Sequence, residues 1–241
     1  MHHARLVGLW LLLLTVSAGA FAAEAVPFSP SLPEKSRCIV AIDKLRPTQF
    51  CVGYWEVEQR GANIAKKKPA KLKEYLEGHL PLIVIGPQDV PYLVDGHHLC
   101  AALLKFKVAA QVEAQVEANW RNLEPAEFWK KMHARGWVYP YDAAGEGPLD
   151  VAKLPKKVAD LTDDPYRSLA WAVRERGGWQ KVETSFAEFR WAEFFRTRVP
   201  IGKRPGDFER AVEAALKLCH TPEAKDLPGF VPAKGTEQPG T

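Results

Sequence analysis

Several familiar signatures are missing from this sequence. No C-x-x-C pair occurs, so neither a thioredoxin-like redox centre nor a zinc ribbon has support. No Walker-type phosphate loop, G-x-S-x-G elbow or H-E-x-x-H helix is present, which argues against P-loop NTPases, α/β-hydrolases and zincins. The apolar run at residues 6–16 stops short of the roughly 20 residues a membrane helix requires. A strong excess of one charge is missing too: 33 Lys and Arg against 29 Asp and Glu leave net +4 over 241 residues. That excess, with a sequence pI of about 8.8, permits contact with phosphates without demanding nucleic acid.

What is present reads as globular: 46% hydrophobic and 26% charged residues, enough for one sizeable core. Residues 1–23 are expected to be a secretory signal peptide. Arg5 lies in a short n-region, an apolar run follows, and Ala20-Phe21-Ala22 fits a small-x-small cleavage site. The alternative is an uncleaved anchor. Export predicts a periplasmic or extracellular address, with no integral span after cleavage. In such a compartment Cys38, Cys51, Cys100 and Cys219 have two options, two disulfides or buried thiols.

Residues 24–36, with regularly spaced prolines, read as a linker. The alternation at Cys38, Val40 and Ile42 predicts a strand over 37–45. Helices are predicted over 52–64, carrying Glu56 and Glu58, and over 69–77, with Gly78 at the C-terminal cap. Two apolar strands at 81–86 and 91–94 are placed to form a hairpin. From His97 the spacing turns helical, with Leu99, Ala102, Leu103 and Phe106 on one face. Residues 111–119 alternate and predict a half-exposed strand. Beyond Trp120 helices dominate: one opening at Pro125 and stopping at Gly136, then 165–176, 185–198 and 206–220. The expected class is therefore α+β, a small mixed-sheet domain over 37–120 followed by a helical region over 121–228. The tail, 229–241, is expected to be disordered.

The chemistry concentrates at "YLVDGHHLC", where a strand hands over to a helix. Gly96 permits a tight turn and close approach of a ligand to the backbone. The first helical turn leaves N–H groups unpaired at the positive end of the dipole, a setting suited to phosphate. His97 and His98 add donors, and Asp95 has three options: to cap the helix, orient a histidine or hold a phosphate-bound cation. A zinc-type site is less well supported. Adjacent helical residues point about 100° apart, so His97 and His98 are poorly placed to share one ion, leaving only a set such as Asp95, one histidine and His79. From the residues alone, an anion site and a capped helix with a histidine in a polar niche both remain open.

Three ordered boxes carry a resemblance: "LRPTQ" at 45–49, "IGP" at 85–87, and "HHLCAALL" at 97–104. Together they resemble the ParB/sulfiredoxin superfamily, and more narrowly the ParB-like putative nuclease group, related to free-serine kinases. The likeness covers about residues 37–120. It implies a ParB/sulfiredoxin fold and a nuclease or phosphotransfer-type activity on a phosphate-bearing small molecule or nucleic acid. Mg²⁺ or Mn²⁺ would be the cation, held by Asp95, and no organic cofactor is expected. It implies phosphate binding by Gly96, His97 and His98, with Arg46 and Gln49 from the upstream box, and acid–base work by Glu56, His98 and Asp95. Glu58 is the rival to Glu56.

Two departures matter. The arginine that closes the turn in relatives is Leu99 here, on the apolar helix face, so a bidentate phosphate partner is missing. The reactive cysteine of sulfiredoxins would fall at His97. The alternative function is a non-catalytic module that uses the same cradle for an anionic ligand or partner. The basic run at 65–73 reads first as a solvated face, and the aromatic residues of the helical half as packed core.

Overall fold

A computed structural model gives the structure of the protein and describes residues 25–233. The signal-peptide segment lies outside the described residues. Eight strands are present among them: β1 (Val26–Pro27), β2 (Arg37–Ala41), β3 (Arg46–Pro47), β4 (Cys51–Val52), β5 (Leu82–Ile85), β6 (Pro91–Asp95), β7 (Gln111–Asn119) and β8 (Thr162–Asp163). The helices are α1 (Tyr54–Ala65), α2 (Pro69–Glu77), α3 (His97–Lys105), α4 (Pro125–Ala134), α5 (Pro165–Glu175), α6 (Ala187–Arg196) and α7 (Asp207–Leu218). Six strands form one mixed sheet in the order β1-β2-β7-β5-β6-β3, and β4 pairs with β8 in a separate ribbon.

Side-chain alternation sorts the sheet into two faces. Ile83, Ile85 and Leu93 join Val112, Ala114 and Val116 on one face, where Leu99, Leu103 and Val57 from α3 and α1 cover them. Val84, Val94 and Ala118 point the other way, onto Phe128 and Met132 of α4. The helical half has its own core. There Trp179 stacks on Trp191, ring centroids 5.5 Å apart, among Leu169, Val173, Phe195, Val212 and Cys219. Each such fully buried large side chain contributes roughly 1.5–3 kcal/mol.

The α+β reading and the β5–β6 hairpin hold. Other expectations are corrected. The segment 24–36 is no free linker: β1 pairs parallel with β2, the Phe28 amide donates to the Ile39 carbonyl, and Phe28 and Leu32 pack on the core. The strand begun at Arg37 ends at Ala41, because residues Ile42–Lys44 turn as a 3-10 helix that buries Ile42. The tail is anchored at its start. Gly229 accepts from the Gln180 amide, Phe230 packs on the helical core and the Val231 carbonyl meets His220 Nδ1 at 2.8 Å. All four cysteines are free and buried. No helix among the described residues is long and apolar enough to cross a membrane.

Candidate functional site

The site is built where β6 runs into α3 and where α1 and α5 close over it. Gly96 has φ 91°, and a Cβ there would lie 2.9 Å from Pro81 Cβ, so both conformation and space require glycine. Asp95 does not cap the helix. Its Oδ1 accepts from the Gly96 amide at 2.7 Å, and Gly96, the N-cap residue, has no side chain to offer. The N–H groups of His97, His98 and Leu99 therefore find no partner among the described residues. Helix α1 is treated differently. Its first amides, of Tyr54 and Trp55, donate to Asp163 Oδ1 at 2.7 Å and Ser168 Oγ at 3.1 Å.

Both histidine rings face inward. His97 Nε2 accepts the Thr48 N–H at 3.2 Å, and the Leu93 carbonyl takes its other hydrogen bond. Burial pulls its pKa down to about 3, against that carbonyl's opposing effect. The ring is neutral and both nitrogens are used, so His97 ties the upstream box to β6 and has no free nitrogen for phosphate. His98 Nε2 accepts the Gly53 N–H at 3.0 Å and lies 3.4 Å from Glu56 Oε2. Burial first, then the charges of Arg167 and Arg60, hold its pKa well below the ordinary histidine range. An accepting Nε2 puts the proton of the neutral ring on Nδ1. Gly53 allows this contact because its backbone lies against Ser168: a Cβ there would approach the Ser168 amide nitrogen to 2.7 Å.

Glu56 is 2% exposed and held from two sides. Arg60 Nη2 donates to Oε1 at 3.0 Å and Arg167 Nη1 donates to Oε2 at 2.9 Å. Arg167 is itself 6% exposed and lies 5.5 Å from the Phe189 ring centroid. The Nε atoms of both arginines are buried without a partner. Glu58, the rival, is out on the surface with Lys105.

The other expected residues divide. Asp95 is exposed, and its Oδ2 has no hydrogen bond or ion pair among the described residues. Arg46, half-buried in β3, carries no ion pair among the described residues. Gln49 is buried and donates to the Cys51 carbonyl at 2.6 Å, a structural use. His79 stacks on Tyr75, and among the described residues no three His, Cys, Asp or Glu side chains gather as metal ligands. Sequence reasoning missed Arg60 and Arg167. Arg60 had a signal, one helical turn beyond Glu56. Arg167 had none, since only the packing of α5 on α1 delivers it. Leu99 is buried as expected; the Arg167 guanidinium of α5 bonds Glu56 and is felt electrostatically at His98.

Comparison with known proteins now decides the family. Residues 38–197 match the family model described as putative ParB-like nuclease. The chain belongs to that family. A solved structure, protein Atu1540 from Agrobacterium tumefaciens, is 39% identical, with a TM-score of 0.75. The match covers 83% of this chain and 100% of Atu1540. No curated protein matches the chain. The family match extends far past residue 120, through α5 and to the end of α6, so it includes Arg167.

Proposed function

We propose that this ParB-like protein acts on nucleic acid as a nuclease, holding a phosphodiester oxygen at the first turn of α3. The observation that carries the reading is the trio of unpartnered N–H groups at His97, His98 and Leu99, at a turn where no side chain caps the helix. Those groups sit at the positive end of the helix dipole, the arrangement that holds phosphate elsewhere. The buried guanidinium of Arg167 adds positive charge beside His98. His97 and Gly96 set the turn, and His98 and Glu56 are the candidates for proton transfer. A divalent cation, Mg²⁺ or Mn²⁺, fits Asp95 as its protein ligand. Such ions commonly take one or two carboxylates and complete their shell with water and phosphate oxygens. When bound, it would supply charge to a phosphodiester. The export signature further leads us to place this activity outside the cytoplasm, with the mature chain beginning near Glu24.

A second reading is favoured by one specific feature. His98 Nε2 is committed to Gly53, and both Glu56 oxygens are committed to guanidiniums. Turnover through either requires that network to open, whereas a non-catalytic phosphate-binding module uses it as it stands.

The test is thermal unfolding of residues 24–241 with inorganic phosphate and mononucleotides, followed by oligonucleotide cleavage with Mg²⁺ or Mn²⁺. A ligand at 100 times its Kd adds about 2.7 kcal/mol of stability. Protection together with cleavage that Asp95→Asn abolishes supports the nuclease. Protection without cleavage supports the binding module. No protection by any ligand rejects the phosphate site itself.

A further inference from the structure

A groove of about 940 Å³ opens between α1 and α2 on one side and α5 and Lys181 on the other. Five cations line it, Arg60, Lys66, Lys67, Arg174 and Lys181, against one carboxylate, Glu175. Two of these cations are internally used: Arg60 holds Glu56, and Arg174 pairs with Glu188 and Glu175. Lys66, Lys67 and Lys181 have no carboxylate within ion-pair distance among the described residues. The run 65–73 therefore does more than solvate a face, because folding sets two of its lysines opposite α5.

Aromatic rings alternate with this charge. Tyr75 stacks on His79 at 4.2 Å and 22°, and the Lys67 ammonium sits 5.0 Å from the Tyr75 centroid. Trp171 presents a half-buried indole from α5. The groove is also wired to the candidate site. Arg60 donates through Nη1 to the Tyr75 hydroxyl at 3.2 Å and through Nη2 to Glu56 at 3.0 Å. Glu56, Arg60 and Asn63 follow helical spacing along α1, as do Arg167, Trp171 and Arg174 along α5. One face of each helix thus runs from the buried network into the groove.

We propose that this groove binds single-stranded nucleic acid, its free lysines on successive phosphates and Tyr75, His79 and Trp171 as stacking platforms. A basic track with interleaved rings is the common means of holding a single strand. A duplex keeps its base faces stacked inside and has nothing to offer the rings. The path toward α3 rests on the phosphate-binding reading above; the groove as a binding site does not.

The experiment is fluorescence anisotropy with a labelled oligo(dT), as a function of salt, alongside thermal protection by dTMP. The triple variant Lys66→Ala/Lys67→Ala/Lys181→Ala changes two exposed side chains and the half-buried Lys67, none of them in a core cluster, so the fold is kept. It should weaken oligo(dT) binding at least tenfold and lower the log–log salt slope by about 2, since each single-strand phosphate contact contributes about 0.7. Tyr75→Leu should weaken binding with the slope unchanged. Oligo(dT) binding unaltered in the triple variant overturns the groove and leaves dTMP protection to decide the α3 site. Equal affinity for duplex of the same length, or equal competition by poly-glutamate, also overturns it. Lysine-dependent oligo(dT) binding without any dTMP protection sustains the groove while removing the α3 site.

Discussion

Arg167 Nη1 donates to Glu56 Oε2 across 2.9 Å, joining two helices whose partners lie 111 residues apart in the chain. Both side chains are buried, so the pair ties the sheet-bearing half to the helical half beneath the candidate site. Removing one member of a buried pair leaves an uncompensated charge, a loss of about 3–5 kcal/mol. Arg167→Ala is expected to cost that much in urea unfolding. The double variant Glu56→Gln/Arg167→Met should cost clearly less than the sum of the two single changes. Additive losses would show that the pair is not energetically coupled.

Acid should destabilise the protein through its histidines. His97 titrates near 6.5 when unfolded and at about 3 when folded, and His98 is shifted in the same direction by burial. Between those values the unfolded chain binds more protons, so stability is complete above about pH 6.5 and falls as pH drops toward about 3. His97 adds a slope of up to about 1.4 kcal/mol per pH unit inside that window, and His98 acts in the same direction. Urea midpoints measured across it should show the decline, and His97→Gln should flatten it. An unchanged slope in that variant would contradict the buried neutral ring.

The thiols should be silent in the native state. Burial pushes Cys38 to about 11 and Cys51, Cys100 and Cys219 to about 12. At mildly alkaline pH a thiol reagent is expected to label none of the four until the chain is unfolded, and then all four. Fast labelling of the native protein, or fewer than four thiols after unfolding without reductant, would contradict this.

Gly96→Ala forces a Cβ onto a left-handed turn and against Pro81. The backbone alone costs about 1–2 kcal/mol, and the displaced turn should also lose phosphate protection. A variant that melts like the parent and still binds phosphate would show that the turn is not built as described.

How much of this was legible depended on distance along the chain. The β5–β6 hairpin, the Asp-Gly turn and α3 follow from local alternation, glycine placement and a change of period, all within residues 81–106. The edge strand β1 was hidden because two residues, one of them Pro27, are too short to show alternation, and its partner is β2. The tail looked polar, yet Phe230 was the apolar residue that betrayed its anchorage. The histidines were legible as special but not in role. Burial keeps them neutral, and what occupies their Nε2 atoms are the amides of Thr48 and Gly53, some 45 and more residues upstream. Arg167, which bonds Glu56, lies furthest along the chain from the turn, and no local pattern marks it.

The most direct measurement is a titration of the ¹⁵N-labelled protein with inorganic phosphate and then dTMP, followed by amide NMR. The account predicts saturable shifts led by the His97, His98 and Leu99 amides, the groups left without partners at the start of α3. Shifts confined to other parts of the molecule, with these three amides unmoved at saturation, would contradict it.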